Sequence, residues 1–96
     1  MNFEEFEKSL TQPHCPEEIM EPLQALWTDA KGDWDEAHRI VQSLPDSDSA
    51  WVHAYLHRKE GDEGNAGYWY SRAGKSKSSE PLEREWEEIV LSLLEQ

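Results

Sequence analysis

Apolar side chains recur along most of this chain at the three- and four-residue spacing that is typical of amphipathic helices. Helix-ending residues interrupt that spacing at prolines 13 and 16, at the Gly-Asp steps 32–33 and 61–62, and in the polar runs 44–49 and 74–81. No segment alternates apolar and polar residues for long, so strands are not expected. The pattern predicts six helices, over about residues 2–10, 17–31, 34–43, 48–60, 63–73 and 81–95.

The two Gly-Asp steps predict tight turns between paired helices. Glycine ends a helix well because it adopts the left-handed backbone conformation without a steric penalty. The aspartate that follows can accept hydrogen bonds from the free N–H groups of the next helix. We therefore expect Asp33 and Asp62 to cap the third and fifth helices.

These two turns belong to an internal repeat. A shift of 29 residues places Gly32 on Gly61 and Ala37 on Ala66, and the apolar positions around them follow. The repeat predicts two related helical hairpins, over about residues 18–44 and 47–73. A chain of 96 residues favours one domain, in which the helices at 2–10 and 81–95 cap the exposed ends of the hairpins.

The second hairpin resembles a tetratricopeptide-type hairpin, in which a Gly-Asp turn precedes a small residue, an aromatic residue and another small residue. Those positions are Gly61, Asp62, Ala66, Tyr70 and Ala73. The resemblance implies an all-α fold of antiparallel helix pairs. The chain departs from that repeat in its period, which is 29 residues rather than about 34, and in carrying histidine at 53 and 57.

A second resemblance covers about half of the chain. The segments HAYLHRKEGD (53–62) and NAGYWYSRAG (65–74), together with the upstream GDWDEAH (32–38), are similar to a family of small bacterial proteins with longer fungal relatives. That resemblance implies no activity, because none is assigned to the family and a shared fold does not carry a function with it.

The charge of the chain narrows the classes of partner. Twenty-one acidic and nine basic residues give a net charge of -12, which disfavours binding to nucleic acid or to anionic membranes. No apolar run approaches the roughly 20 residues that span a bilayer, and the acidic N-terminal segment does not resemble a signal peptide. The single Cys15 excludes an internal disulfide. These features favour a cytoplasmic protein.

One helix carries a candidate metal site. His53 and His57 are four residues apart, so both can bind one metal ion from the same helix, and Glu60 extends that line by one turn. A helical projection places the three side chains opposite the apolar arc of their helix. His38 is the best candidate for a further ligand, followed by Asp62.

The alternative interpretation of His53 and His57 is structural: both rings could pack in a semi-polar helix interface, or could interact with the last carbonyls of their helix. Packing does not require histidine at these positions, because the first hairpin has Gln24 and Thr28 there. No nucleophile motif or phosphate-binding loop is present, so we predict no catalytic residue. Binding of a small ligand, or an enzyme activity centred on His53, His57 and Glu60, stays open as an alternative function. A divalent metal ion is the only cofactor that these residues suggest.

A protein or peptide groove is the first functional prediction. Aromatic and arginine side chains dominate many recognition surfaces, and five of them cluster in the second hairpin: Trp51, Tyr55, Arg58, Tyr68 and Arg72. In the alternative interpretation, Trp51 and Tyr55 are ordinary core residues. A homodimer, with exposed aromatic side chains at its interface, is a further possibility.

Overall fold

The computed structural model describes all 96 residues, which form six α-helices and no strand. The helices are α1 (Phe3–Ser9), α2 (Glu21–Ala30), α3 (Trp34–Val41), α4 (Ser47–Lys59), α5 (Glu63–Ala73) and α6 (Leu82–Leu94). The predicted all-α fold class is therefore confirmed. The most extensive helix contacts join α2 to α3 and α4 to α5, as expected of two hairpins. None of the helices has the length and apolar character needed to cross a membrane.

The two Gly-Asp turns have the same geometry. Gly32 and Gly61 adopt positive φ angles of 95° and 89°. The N–H of the aspartate that follows donates to the carbonyl five residues before it, at 3.2 Å for Asp33 and 2.9 Å for Asp62. Each aspartate side chain then accepts a hydrogen bond from the N–H three residues after it. Both predicted N-caps are confirmed, and the turns close as Schellman motifs.

The start of α2 differs from the prediction, because the helix begins at Glu21 rather than at residue 17. A start at residue 17 would have placed Pro22 inside the helix, where it lacks an N–H donor and collides with the preceding turn. In the structure Pro22 occupies the first turn, where no donor is needed. Two further caps differ from the sequence prediction of Ser47 or Asp48 for α4 and Ser79 or Glu80 for α6. In the structure Asp46 caps α4, and α6 begins after Pro81 without a side-chain cap.

Helix α4 is the centre of the molecule. It packs against α2, α3, α5 and α6, and every residue from 49 to 57 is buried. A helix surrounded in this way has no solvent-facing side, so its polar residues must find partners within the protein. The side chains that reach α4 from the neighbouring helices therefore determine how its buried polar residues are paired.

Helix α6 lies across α1, α2 and α4. Its buried Glu85 accepts a hydrogen bond from the Tyr70 hydroxyl at 2.5 Å and forms an ion pair with Arg58 at 2.8 Å. The indole N–H of Trp86 donates to the Leu26 carbonyl at 3.1 Å. These contacts attach α6 to both hairpins, on the side of α4 that carries Trp51 and Tyr55.

Candidate metal centre

Three of the four histidines converge where α3, α4 and α5 meet. His38 extends from α3, and His53 and His57 extend from successive turns of α4. One ring nitrogen of each histidine lies within 4.8 Å of the corresponding nitrogens of the other two. The ring centroids are 4.7 Å apart for His38 and His53, 5.2 Å for His38 and His57, and 4.9 Å for His53 and His57. We call these three residues the histidine cluster.

The closest contact within the histidine cluster joins the Nε2 atoms of His38 and His53, at 3.1 Å. One of these nitrogens donates its N–H, and the other accepts the hydrogen bond. The Nδ1 atom of His53 is buried and has no hydrogen-bond partner. Whichever tautomer is present, a buried polar atom is left unsatisfied, and this costs about 1–3 kcal/mol.

His57 differs because its Nδ1 atom contacts the Oε2 atom of Glu60 at 2.7 Å. Glu60 is the C-cap residue of α4, so the turn that ends the helix also orients this ring. A carboxylate at Nδ1 favours the tautomer with its proton on Nδ1, which leaves Nε2 as the free nitrogen. Many metal-ligating histidines are held by a carboxylate in the same way.

Two tryptophans enclose the histidine cluster. The Trp34 ring stacks on His38 with centroids 5.0 Å apart, and the Trp69 ring stacks on His53 with centroids 3.9 Å apart. The Trp34 indole N–H donates to the Leu56 carbonyl at 2.8 Å, which fixes its ring against α4. The two indoles limit the access of water to the imidazoles and restrict their orientations.

The burial of the histidine cluster also changes the protonation of its imidazoles. It lowers the pKa of His53 to about 4, and the neighbouring His38 and His57 rings act in the same direction. The pKa of His38 is also lowered, first by burial and then by His57, although Glu60 and Asp35 oppose the shift. His38 and His53 are therefore neutral near pH 7, and neutral imidazole is the form that binds a metal ion.

The spacing within the histidine cluster suits a small divalent cation. Two imidazole nitrogens bound tetrahedrally at about 2.0–2.1 Å from a metal lie roughly 3.3 Å apart. The 3.1 Å separation of the His38 and His53 Nε2 atoms is close to that value. A second possible ligand set consists of His57, Glu60 and Asp62. It uses only one imidazole, and the Glu60 carboxylate in that set already contacts His57.

The structure corrects the expectation that His53, His57 and Glu60 point away from the protein interior. His53 is only 3% exposed and His57 only 8%. The helical projection correctly separated these residues from the Trp51 and Tyr55 side of α4. It could not show that α3 and α5 cover the second side as well. Glu60 alone is exposed.

The structure also corrects the expected groove. Trp51 and Tyr55 are 6% and 3% exposed, and Arg58 is paired with Glu85 of α6. The ammonium group of Lys75 lies 4.2 Å from the centroid of a Trp51 ring. These three residues of α4 are covered by α6 and by the segment before it, because their apolar side requires burial.

Tyr68 and Arg72 are the members of the expected groove that remain exposed. The Tyr68 side chain is 54% exposed, and its hydroxyl accepts a hydrogen bond from Arg72 at 3.1 Å. The two residues lie on α5, apart from the three residues that α6 covers. They form a small surface rather than the wall of a groove.

The sequence interpretation missed the roles of Trp34 and Trp69 beside the histidine cluster. The four-residue spacing of Trp34 and His38 on one helix could have indicated their contact. The stacking of Trp69 on His53 depends on how α5 packs against α4, and no local pattern indicates it.

No protein-family model matches this chain, and no curated protein or solved structure matches it either. The resemblances to tetratricopeptide hairpins and to the small bacterial and fungal family therefore remain predictions.

Proposed function

We propose that this chain is a small helical metal-binding protein whose metal ligands are His38, His53 and His57. The observation that supports the proposal is the convergence of three imidazole nitrogens within 4.8 Å. The lowered pKa values of His38 and His53, which keep both imidazoles neutral near pH 7, are an additional indication. Strongly perturbed groups without an evident structural reason mark candidate functional sites.

Zn²⁺ is the cation that this ligand set fits best. Imidazole is a ligand of intermediate softness that suits Zn²⁺, Cu²⁺ and Ni²⁺ rather than Ca²⁺ or Mg²⁺. Three histidines leave a fourth position for water or another small ligand. His38 is half-buried, whereas the other two rings are buried, so this position opens on the His38 side. Glu60 orients His57 through its Nδ1 atom.

The test is a calorimetric titration of Zn²⁺ into metal-free protein prepared without an affinity tag. We expect one equivalent to bind. His38→Ala should lower the affinity by at least about tenfold, because it removes one ligand at a half-buried position. Glu60→Gln should lower it by about 10–100-fold, as is typical when a carboxylate that orients a ligating histidine is lost.

His14→Ala is the matched control, because His14 is exposed and lies in the segment between α1 and α2. The His14→Ala variant should bind Zn²⁺ with the same affinity as the unsubstituted protein. The far-ultraviolet circular dichroism of each variant establishes that it is folded. Absence of stoichiometric binding to the folded protein would contradict the proposal. Equal affinities for folded His38→Ala and His14→Ala would do so as well.

A second candidate function is protein or peptide binding at the surface of Tyr68 and Arg72. The exposure of Tyr68, at 54%, supports it. The Arg72 guanidinium lies 5.8 Å from the Tyr68 ring centroid and 5.3 Å from a Trp69 ring centroid. Rigid aromatic side chains beside an arginine often supply much of the binding energy of an interface.

Light scattering and affinity capture test this surface. A dimer that dissociates in Tyr68→Ala would identify a second copy of the chain as the partner. If the protein is monomeric, a partner captured by it should be lost in Tyr68→Ala and retained in Ser71→Ala, an exposed position on the same helix. Equal capture by the two variants would argue against this candidate.

A further inference from the structure

A pocket of about 350 Å³ lies on the opposite side of α4 from the histidine cluster. It forms where the end of α1, the end of α2, the last turns of α4 and the first turns of α6 meet. Small-molecule sites have volumes of roughly 300–1,000 Å³ and are lined mostly by apolar side chains with a few polar groups. This pocket is at the small end of that range.

Its apolar wall includes an aromatic ring that is held in place. Trp86 lines the pocket together with Leu10 and Leu82. The Trp86 ring also packs against Phe3 and Phe6, with centroids 6.1 and 5.9 Å away. Its indole N–H is bound to the Leu26 carbonyl. The ring therefore offers a preformed surface for an apolar or aromatic ligand.

Tyr55 contributes a polar group to the same pocket. It is 97% buried, being only 3% exposed. No group of the chain forms a hydrogen bond with its hydroxyl, whereas the hydroxyl of Tyr70 is bound to Glu85. Burial, together with the negative charges of Asp29 and Glu85, raises the pKa of Tyr55. The hydroxyl therefore stays protonated, and it can both donate and accept a hydrogen bond.

The charges around the pocket favour a cation. Asp29 is buried and its carboxylate is neutralised by Lys59, whose Nζ atom lies 2.9 and 3.1 Å from the two oxygens. Glu83 also lines the pocket, is exposed, and forms no ion pair within the chain. The charged groups that line the pocket therefore sum to one negative charge. The whole protein is also strongly acidic, with a net charge of -12.

We propose that this pocket binds a small aromatic amine, with the ring against Trp86 and the ammonium group between the Tyr55 hydroxyl and the Glu83 carboxylate. The complementarity of charge selects a cation over an anion of the same shape. The volume of about 350 Å³ matches a ligand with one or two fused rings. The site is separate from the histidine cluster, so its occupancy does not depend on metal binding.

Tryptamine is the probe, and indole-3-propionate is the matched anion. Nuclear magnetic resonance in the presence of a chelator follows the indole N–H signal of Trp86. We expect this signal to shift saturably with tryptamine at millimolar concentration or below, as the small size of the probe allows. The signals of Trp34 and Trp69, at the histidine cluster, should not move. Indole-3-propionate should bind more weakly.

Four variants locate the site. Ala30 is exposed and lines the pocket, so Ala30→Leu should fill the pocket and lower the affinity by at least about tenfold without unfolding the protein. Glu83→Gln and Tyr55→Phe should each lower the affinity about two- to fivefold. Glu87→Gln, an equal change of charge on an exposed position of α6 outside the pocket, should have no effect.

Several outcomes would overturn the proposal. One is the absence of a saturable shift of the Trp86 signal. Another is equal or tighter binding of indole-3-propionate, which would contradict the cationic ligand class. Binding that survives Ala30→Leu would place tryptamine elsewhere. Equal weakening by Glu83→Gln and Glu87→Gln would show only the general attraction of an acidic protein for a cation.

Discussion

The two hairpins, α2–α3 and α4–α5, each contain a Gly-Asp turn of the same geometry. They differ in the residues at one pair of equivalent positions on their first helices. In the first hairpin Gln24 donates to the Ile19 carbonyl and Thr28 donates to the Gln24 carbonyl, both at 2.8 Å. Positions 53 and 57, which the repeat aligns with them, hold histidines that meet other histidines and tryptophans. The first pair is satisfied by carbonyls of its own helix and of the segment just before it, whereas the second pair faces neighbouring helices.

This difference separates the requirements of folding from those of a site. A Gly-Asp turn followed by a small residue suffices to close both hairpins. Imidazoles at 53 and 57 are not needed for that closure, and they introduce a buried nitrogen without a partner. We propose that these imidazoles serve the metal site rather than the closure of the hairpin.

The next equivalent pair of positions is also used differently. Asp29 of the first hairpin pairs with Lys59 of the second, and Arg58, which the repeat aligns with Asp29, pairs with Glu85 of α6. The first pair joins the two hairpins, and the second joins the second hairpin to α6. The two ion pairs therefore connect the second hairpin both to the first hairpin and to α6.

The largest effect that would distinguish the hairpins is expected from Glu85→Ala. It leaves the half-buried Arg58 without its ion pair and the buried Tyr70 hydroxyl without an acceptor. The free energy of unfolding should fall by about 3–5 kcal/mol, as when one partner of a buried ion pair is removed. Urea denaturation measures it, and Glu88→Ala, an exposed position on α6, is the control. Equal losses for the two variants would contradict this account of α6.

A smaller effect is expected from acid, in the metal-free protein. An unfolded histidine has a pKa of about 6.5, whereas that of His53 in the folded chain is about 4. As the pH falls from 6.5 to 4, the unfolded chain binds a proton that the folded chain excludes. The free energy of unfolding should therefore decrease, by about 2–3 kcal/mol at pH 4. The lowered pKa of His38 acts in the same direction.

A double variant tests this prediction by replacing the two histidines of the second hairpin with Gln24 and Thr28, their equivalents in the first hairpin. The double variant His53→Gln and His57→Thr should lose most of the acid sensitivity, while His14→Ala should retain it. Denaturant unfolding at a series of pH values measures the difference. A double variant as acid-sensitive as the unsubstituted protein would assign the effect to carboxylates instead.

The smallest expected effect on stability tests the feature that the two hairpins have in common, a glycine with positive φ. Gly32→Ala and Gly61→Ala each place a side chain on a residue with positive φ, where added bulk meets nothing within 4 Å. Each should lower the free energy of unfolding by about 1–2 kcal/mol through backbone strain alone. Gly64→Ala, in the first turn of α5 and with ordinary φ, should not destabilise the protein. Thermal unfolding of the three variants measures these changes. Unequal losses of stability for Gly32→Ala and Gly61→Ala would contradict the equivalence of the two turns.

Local features of the sequence predicted the turns well. The Gly-Asp steps and the 29-residue repeat determine the caps and the positive φ angles through interactions within a few residues. The start of α2 departs from the apolar spacing because Pro22 is tolerated only in the first turn of the helix. Helix ends depend on such single residues, whereas the existence of a helix depends on a whole segment.

The candidate site could be predicted only in part. The four-residue spacing brings His53 and His57 together within one helix, and His38 was recognised as a further ligand from its residue type. Their convergence depends on how α3 packs against α4. The burial of Trp51 and Tyr55 depends in the same way on α6, whose position across α4 no local pattern encodes. Exposure was therefore the property that the sequence interpretation predicted least well.

X-ray absorption spectroscopy of the protein loaded with one equivalent of Zn²⁺ tests the central claim most directly. The account predicts three imidazole nitrogens at about 2.0–2.1 Å from the metal, and one further light ligand. The imidazole contribution should fall to two in His38→Ala and remain at three in His14→Ala. A shell dominated by carboxylate oxygens with a single imidazole would contradict the histidine cluster as the site, and so would a zinc ion that keeps only its water ligands.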